Sequence, residues 1–161
     1  MSAIASFVML PLAALDDLRQ IAKPTKKLLG KPKDEYWVFL RQKGRVVAEY
    51  GWSGYVLGTV LCWLRDEHHV DLMDSPHNEL ANFLTKARGS SHSIFTNDHK
   101  LRFLKRLDPS RLSVETLRDY YNKFNGTNEP DAGTPMVDGV AAIRESLEAV
   151  DDKSVVLLII G

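Results

Sequence analysis

The side chains best suited to chemistry in this sequence are five histidines, all of which lie between positions 68 and 99. Carboxylates lie among them, and imidazole combined with carboxylate is the ligand set of Zn, Ni and Fe(II) sites in proteins. A transition-metal centre is therefore the sharpest chemical hypothesis that the residues offer. Its candidate ligands are His68, His69, Asp71, His77 and His92.

The spacing of these histidines supports a metal less well than their number does. No two of them stand four residues apart, as the histidines of a H-E-x-x-H helix do, and the chain has one cysteine rather than a cysteine pair. The alternative is that the histidines are loop and helix-end residues. A small metal-dependent enzyme is thus one of three functions that the sequence leaves open.

A second candidate segment runs from Gly51 to Gly54 and contains Trp52 and Ser53. Its second glycine comes one residue too early for a G-x-S-x-G nucleophile elbow, so Ser53 is predicted to cap a helix. Its glycines match neither a Walker A loop nor G-x-G-x-x-G. No catalytic residue is assigned, and the sequence favours a protein that is not an enzyme. Three aromatic residues could instead line a small-molecule pocket or belong to the core: Trp52, Tyr55 and Trp63.

Charge is unevenly distributed along a chain whose 21 basic residues balance 21 acidic ones. The balanced total gives no field that would attract nucleic acid or a membrane surface. Positions 19–45, however, carry nine Lys or Arg against two acids, and positions 108–152 carry ten acids against four basic residues. Such unlike edges suit steered binding to a protein or a second copy, although they can also be solvated faces. The candidate partner-binding residues are Lys26, Lys27, Lys31, Lys33, Arg41 and Lys43.

Hydrophobic patterning predicts a single α+β domain over residues 1–161, with about five or six helices on a small mixed sheet. Apolar runs at 4–10 and 154–160 predict an N-terminal and a C-terminal strand. The second run is continuously apolar, so we expect it at the centre of the sheet beside the first. Residues 36–40 and 46–50 flank a polar turn and predict a β-hairpin.

The remaining patterns predict helices. An all-round apolar helix over 55–64 is expected to pack on the sheet. Further helices are predicted after Pro76, after Ser113 and near the C-terminus, with a loop at 126–135. Another is predicted to begin near Asn97 and to carry Leu101, Leu104 and Leu107 on one face.

The lone cysteine, Cys62, cannot form an internal disulfide, so a reducing cytoplasm is the expected location. The apolar residues 1–15 lack the preceding Lys or Arg of a signal peptide. Residues 46–64 carry one charge, but they also contain three glycines and a turn signal. We therefore predict a cytoplasmic protein with no membrane span.

Several segments together resemble the YfbM-like family of bacterial proteins of uncharacterised function. They are the opening SAIASF at 2–7, YWVFL at 36–40, SIFTN at 93–97 and the closing IIG at 159–161. The resemblance implies an α+β domain and provides no catalytic residues. With the charge pattern, it makes a non-catalytic protein-binding factor, such as a toxin-immunity protein, the leading hypothesis. A metal-dependent enzyme and a small-molecule-binding module are the alternatives.

Overall fold

The computed structural model describes residues 3–23 and 34–161, and its centre is a four-stranded sheet. The strands are β1 (Ala5–Pro11), β2 (Arg45–Ala48), β3 (Ser91–Phe95) and β4 (Ser154–Ile160). Their order is β2-β1-β4-β3, and every pairing among them is antiparallel rather than mixed as predicted. The terminal strands pair from Ala5 opposite Ile160 to Pro11 opposite Ser154. The predicted central position of β4 beside β1 is therefore confirmed.

Seven α-helices surround this sheet in the described residues: α1 (Leu15–Ile21), α2 (Glu35–Lys43), α3 (Gly54–His68), α4 (Asn78–Arg88), α5 (Asn97–Phe103), α6 (Val114–Asn125) and α7 (Gly133–Ala149). Short 3-10 turns lie at Leu12–Ala14, Leu104–Arg106 and Pro109–Arg111. No described helix has the length and apolarity needed to cross a membrane. The α+β fold class is confirmed.

The sheet is the middle of three layers. One face, which we call the α3 side, packs Phe7 and Leu158 against α3, α5, α6 and α7. The other face, the α2 side, packs Val8 and Leu157 against α1, α2 and α4. Successive residues of a strand point to opposite faces. Every residue of β4 except Ile160 is therefore buried, although the sheet is antiparallel.

The predicted hairpin is wrong, because residues 36–40 form the first turns of α2. Asp34 caps this helix by accepting a hydrogen bond from the Tyr36 backbone N–H, at 3.3 Å. Tyr36, Phe39 and Leu40 are buried, which is the i, i+3, i+4 pattern of a helix. A run of five apolar residues fits this pattern as well as it fits strand alternation, and here packing on β1 decides the outcome.

The predicted common helix face of Leu101, Leu104 and Leu107 is also wrong, although the helix does begin at Asn97. Helix α5 ends at Phe103, and Leu101 is 76% exposed. His99 and Phe103, one turn apart, are the buried residues of α5. Leu107 is buried only because the 3-10 turn after α5 redirects the chain. The predicted loop at 126–135 is shorter than expected, since α7 begins at residue 133.

Candidate functional site

Two of the five histidines are buried, and both ring nitrogens of each have a protein partner. His92 Nδ1 lies 2.8 Å from the Ser90 carbonyl oxygen, and its Nε2 lies 2.8 Å from the Tyr36 hydroxyl. His99 accepts a hydrogen bond from the Thr96 backbone N–H and lies 2.7 Å from the Asp74 carbonyl oxygen. Burial lowers the pKa of both imidazoles. These are neutral structural histidines.

The other histidines lie apart from them. His68 packs edge-on against the Trp63 ring at the end of α3, and His69 ends that helix with φ of 52°. His77 precedes α4. His92 lies on the α2 side of the sheet, whereas α3 covers the opposite side. Across residues 3–23 and 34–161, no three His, Cys, Asp or Glu side chains are grouped to hold a metal.

The predicted ligand Asp71 has a structural contact as well, since its Oδ1 accepts a hydrogen bond from the Met73 backbone N–H at 2.9 Å. The predicted set of His68, His69, Asp71, His77 and His92 is therefore not brought together. Ser53 caps α3, accepting from the Tyr55 N–H at 3.4 Å. That contact agrees with the predicted capping role.

The three aromatic residues of the predicted pocket do not meet in one cavity. Trp63 is 5% exposed and belongs to the core. Tyr55 lines one cavity and Trp52 lines two others. Trp52 and Tyr55 therefore line separate cavities, and Trp52 lies between two of them.

Trp52 is 47% exposed and lies between two cavities. One cavity, of about 250 Å³, lies between the segment before α3 and the outer face of α7. The other, of about 280 Å³, is lined by Tyr121 of α6 and by the residues that lead into α7. The indole N–H donates to Asp138 Oδ2 at 2.9 Å, which fixes the ring. We call Trp52 together with its two cavities the Trp52 surface.

Close packing of α7 holds this surface in place. A Cβ atom at Gly139 would lie 2.9 Å from Val60 Cγ2, so only glycine allows α7 to approach α3 this closely. Tyr50 is buried and its hydroxyl donates to the Pro135 carbonyl oxygen at 2.9 Å. Burial raises the pKa of this hydroxyl, which keeps it a donor. Two hydrogen bonds, from Tyr50 and Trp52, therefore tie the segment before α3 to α7.

The Trp52 surface is strongly acidic. Five exposed carboxylates line its two cavities, and no Lys or Arg lines either one. None of the five forms an ion pair within the described part of the chain. They are Glu49, Glu129, Asp131, Asp138 and Glu145. Four of the five belong to the acidic stretch at positions 108–152. Glu49 lies just after β2, and nothing in the sequence around it indicates that it belongs to this surface.

The predicted basic edge is only partly described. Lys26, Lys27, Lys31 and Lys33 lie outside the described residues. Arg41 and Lys43 are exposed on α2. Beside them Trp37, 39% exposed, lines a groove of about 380 Å³ with Arg41 and Val46. We call this groove with those three residues the Trp37 surface.

Comparisons with protein-family models, with curated proteins and with solved structures find no significant match to this chain. The chain's own residues therefore define the candidate site. Of the two exposed tryptophans, Trp52 has a fixed ring, flanking cavities and a charged rim that lie wholly within the described residues. The Trp52 surface is the candidate functional site.

Proposed function

We propose that this protein acts by binding another protein, and that the Trp52 surface receives a basic segment of that partner. A toxin-immunity protein, or a comparable bacterial accessory factor, has this mode of action. The observation that carries the proposal is the half-exposed Trp52 ring among five carboxylates that have no basic partner in the described residues. The resemblance to the YfbM-like family is compatible with an accessory role.

The chemistry of this surface favours a cationic partner. A Lys or Arg side chain is attracted to the face of an indole ring, and Trp is the preferred ring for this contact. The surrounding carboxylates would accelerate association with a positively charged segment and repel an acidic one. Cavities on both sides of the ring leave room for the aliphatic parts of those side chains.

The fixed position of the ring also favours binding. The hydrogen bond to Asp138 holds the indole before any partner arrives. Less side-chain freedom is then lost on association, and pre-organised aromatic residues near the centre of an interface contribute most of its binding energy. The Trp52 surface therefore has the properties of an interface anchor and does not require a catalytic group.

The first experiment compares Trp52→Ala with the matched variant Trp37→Ala. Fluorescence anisotropy would follow binding of a labelled peptide in which arginine alternates with glycine, and of a glutamate–glycine peptide as the charge control. We expect the parent protein to prefer the basic peptide. Trp52→Ala should weaken that binding by about 1–2 kcal/mol, roughly five- to thirtyfold, whereas Trp37→Ala should leave it unchanged. Equal binding of both peptides would contradict the proposal.

The second experiment tests for a physiological partner. The parent protein, Trp52→Ala and Trp37→Ala would each be used for affinity capture from a lysate of the source organism, and the captured proteins would be identified. We expect one protein with a basic surface to be recovered with the parent and with Trp37→Ala, and to be lost with Trp52→Ala. A toxin encoded beside this gene would support the immunity role. No reproducible partner with any of the three proteins would argue strongly against it.

A further inference from the structure

A third cavity, of about 350 Å³, lies on the α3 side of the sheet, between the start of α3 and strands β3 and β4. Its apolar part includes Leu61 and Leu158, and Tyr55 lies at its side, 65% exposed. It shares no lining residue with the Trp52 surface. The two features can therefore be tested separately.

Small residues on both walls keep this cavity open. Gly54 lets the start of α3 lie directly against the sheet at one end of the cavity, since a Cβ there would lie 2.7 Å from Ile160 Cγ2. One turn further on, a Cβ at Gly58 would meet no atom within 4 Å. On the opposite wall, Ser91 and Ser93 stand on the sheet face that carries the large Phe95 at the end of the same strand. The space between the walls is thus left unfilled by the sequence.

The glycine at position 58 is unfavourable for the helix itself. Glycine within a helix costs about 1 kcal/mol relative to alanine, and nothing near Gly58 prevents a larger side chain. Packing of the described residues therefore gives no reason for glycine here. A bound molecule that occupies the space beside Gly58 would explain why glycine is found there.

The lining determines the chemistry of that occupant. No charged residue lines the cavity. Ser90, Ser91 and Ser93 line it; they are partly or fully exposed, and their hydroxyls make no hydrogen bond to another described residue. Each hydroxyl can both donate and accept. A charged ligand would lose its hydration without a counter-charge, whereas a hydroxyl or carbonyl group would find partners.

The volume limits the size of the occupant. An apolar cavity of about 150 Å³ holds benzene, and this one is somewhat more than twice as large. From the volume, the uncharged lining and the unpartnered serines, we infer that the cavity binds a small uncharged molecule. That molecule has a two-ring or comparable aliphatic body and one hydroxyl or carbonyl group. Tyr55 lines the cavity and would contact this molecule.

The test uses 2-naphthol as the probe and 2-naphthalenesulfonate as its charged counterpart, with binding measured by saturation-transfer NMR and calorimetry. The parent protein should bind 2-naphthol and bind the sulfonate at least about tenfold more weakly. Gly58→Leu should fill the cavity and weaken 2-naphthol binding by at least about tenfold. Gly58→Ala, which adds one methyl group, should retain binding and raise the melting temperature.

Ser93→Leu fills the same cavity from the opposite wall and replaces Gly58→Leu if that variant does not fold. Binding of the arginine–glycine peptide should be unchanged in all of these variants, which separates this inference from the proposed function. The inference is overturned if 2-naphthol does not bind at about millimolar concentration. It is equally overturned if the filled variants bind it as well as the parent does, or if the sulfonate binds equally well.

Discussion

The molecule exposes two tryptophans, each beside a cavity, and their surroundings carry opposite charge. Trp52 is 47% and Trp37 39% exposed, so exposure does not distinguish them. Carboxylates surround Trp52, whereas Arg41 lines the groove beside Trp37 and Lys43 and Arg45 are exposed nearby. An exposed aromatic ring thus marks a possible interface, and the charges around it determine which partner it suits.

The two tryptophans also differ in what lies beneath them. Trp37 packs edge-on against Tyr36, whose hydroxyl bonds to His92 and whose ring lies 4.5 Å below the Arg88 guanidinium. Arg88 in turn pairs with Asp34 at the start of α2. The Trp37 surface therefore rests on a network that contains a histidine. No histidine lines the cavities of the Trp52 surface.

The largest effect expected from this comparison concerns the glycines near the two rings. At Gly44, in the Trp37 groove, a Cβ would lie 2.5 Å from Val8 Cγ1 and 2.6 Å from the Leu40 carbonyl oxygen. At Gly51, next to Trp52, it would meet nothing within 4 Å. Gly44→Ala should therefore destabilise the fold by about 1–3 kcal/mol. Gly51→Ala should change the free energy of unfolding by less than about 0.5 kcal/mol.

Urea unfolding followed by circular dichroism measures both variants. Because both variants replace glycine with alanine, the general effect of this replacement on stability is common to both, and only the difference between them reports on local packing. Equal destabilisation at positions 44 and 51 would show that the junction of α2 and β2 is not packed as tightly as the structure indicates. A selective loss at 44 would confirm that the Trp37 surface is built on a closely packed junction.

A smaller effect is expected from reversing charge. Asp138→Lys with Glu145→Lys should weaken binding of the arginine–glycine peptide by roughly tenfold or more, because both charges line the cavity beside Trp52. The matched pair Arg41→Glu with Lys43→Glu also reverses two charges but lies on the Trp37 surface. This second pair should leave binding of the arginine–glycine peptide nearly unchanged. Added salt should weaken binding of the same peptide to the parent protein. The two pairs shift the net charge in opposite directions, so net charge alone would explain the attraction if the second pair strengthened binding as much as the first weakened it.

Local signals were sufficient to predict much of the fold. Ser53 and Ser113 cap the helices that they were expected to cap, and Gly89 and Gly126 end theirs in the left-handed conformation. The central position of the last strand followed from its apolar run. Helix α2 could not be predicted in this way, because a short apolar run fits two periodicities and packing on the sheet decides between them.

The candidate site was harder to predict than the fold. The acidic stretch at 108–152 was visible in the sequence, but its convergence on Trp52 depends on how α7 packs against α3. The sequence of residues 46–64 predicts a strand, a turn and a buried helix, but nothing local in it indicates the outward position of Trp52 or the contribution of Glu49. The histidines show the opposite case, because histidines that lie close together in the sequence are found on opposite sides of the sheet in the fold.

The smallest effect expected from the comparison is a dependence on pH that affects the α2 side and spares the Trp52 surface. Burial lowers the pKa of His92 below its ordinary value of 6.5. The unfolded chain then binds more protons than the folded one in this range, so the free energy of unfolding rises with pH. The stabilisation is present above about pH 6.5 and is lost as the pH falls toward the folded pKa. Protonation would also put a positive charge near Arg88.

Thermal unfolding between about pH 7.5 and about pH 5 measures this effect. We expect His92→Gln, which can still accept from Tyr36, to lose less stability on acidification than the parent. Some dependence should remain, because burial lowers the pKa of His99 in the same direction. His69→Asn, at an exposed helix end with φ of 52°, should behave like the parent. An unchanged pH dependence in His92→Gln would show that the histidine beneath the Trp37 surface does not govern it.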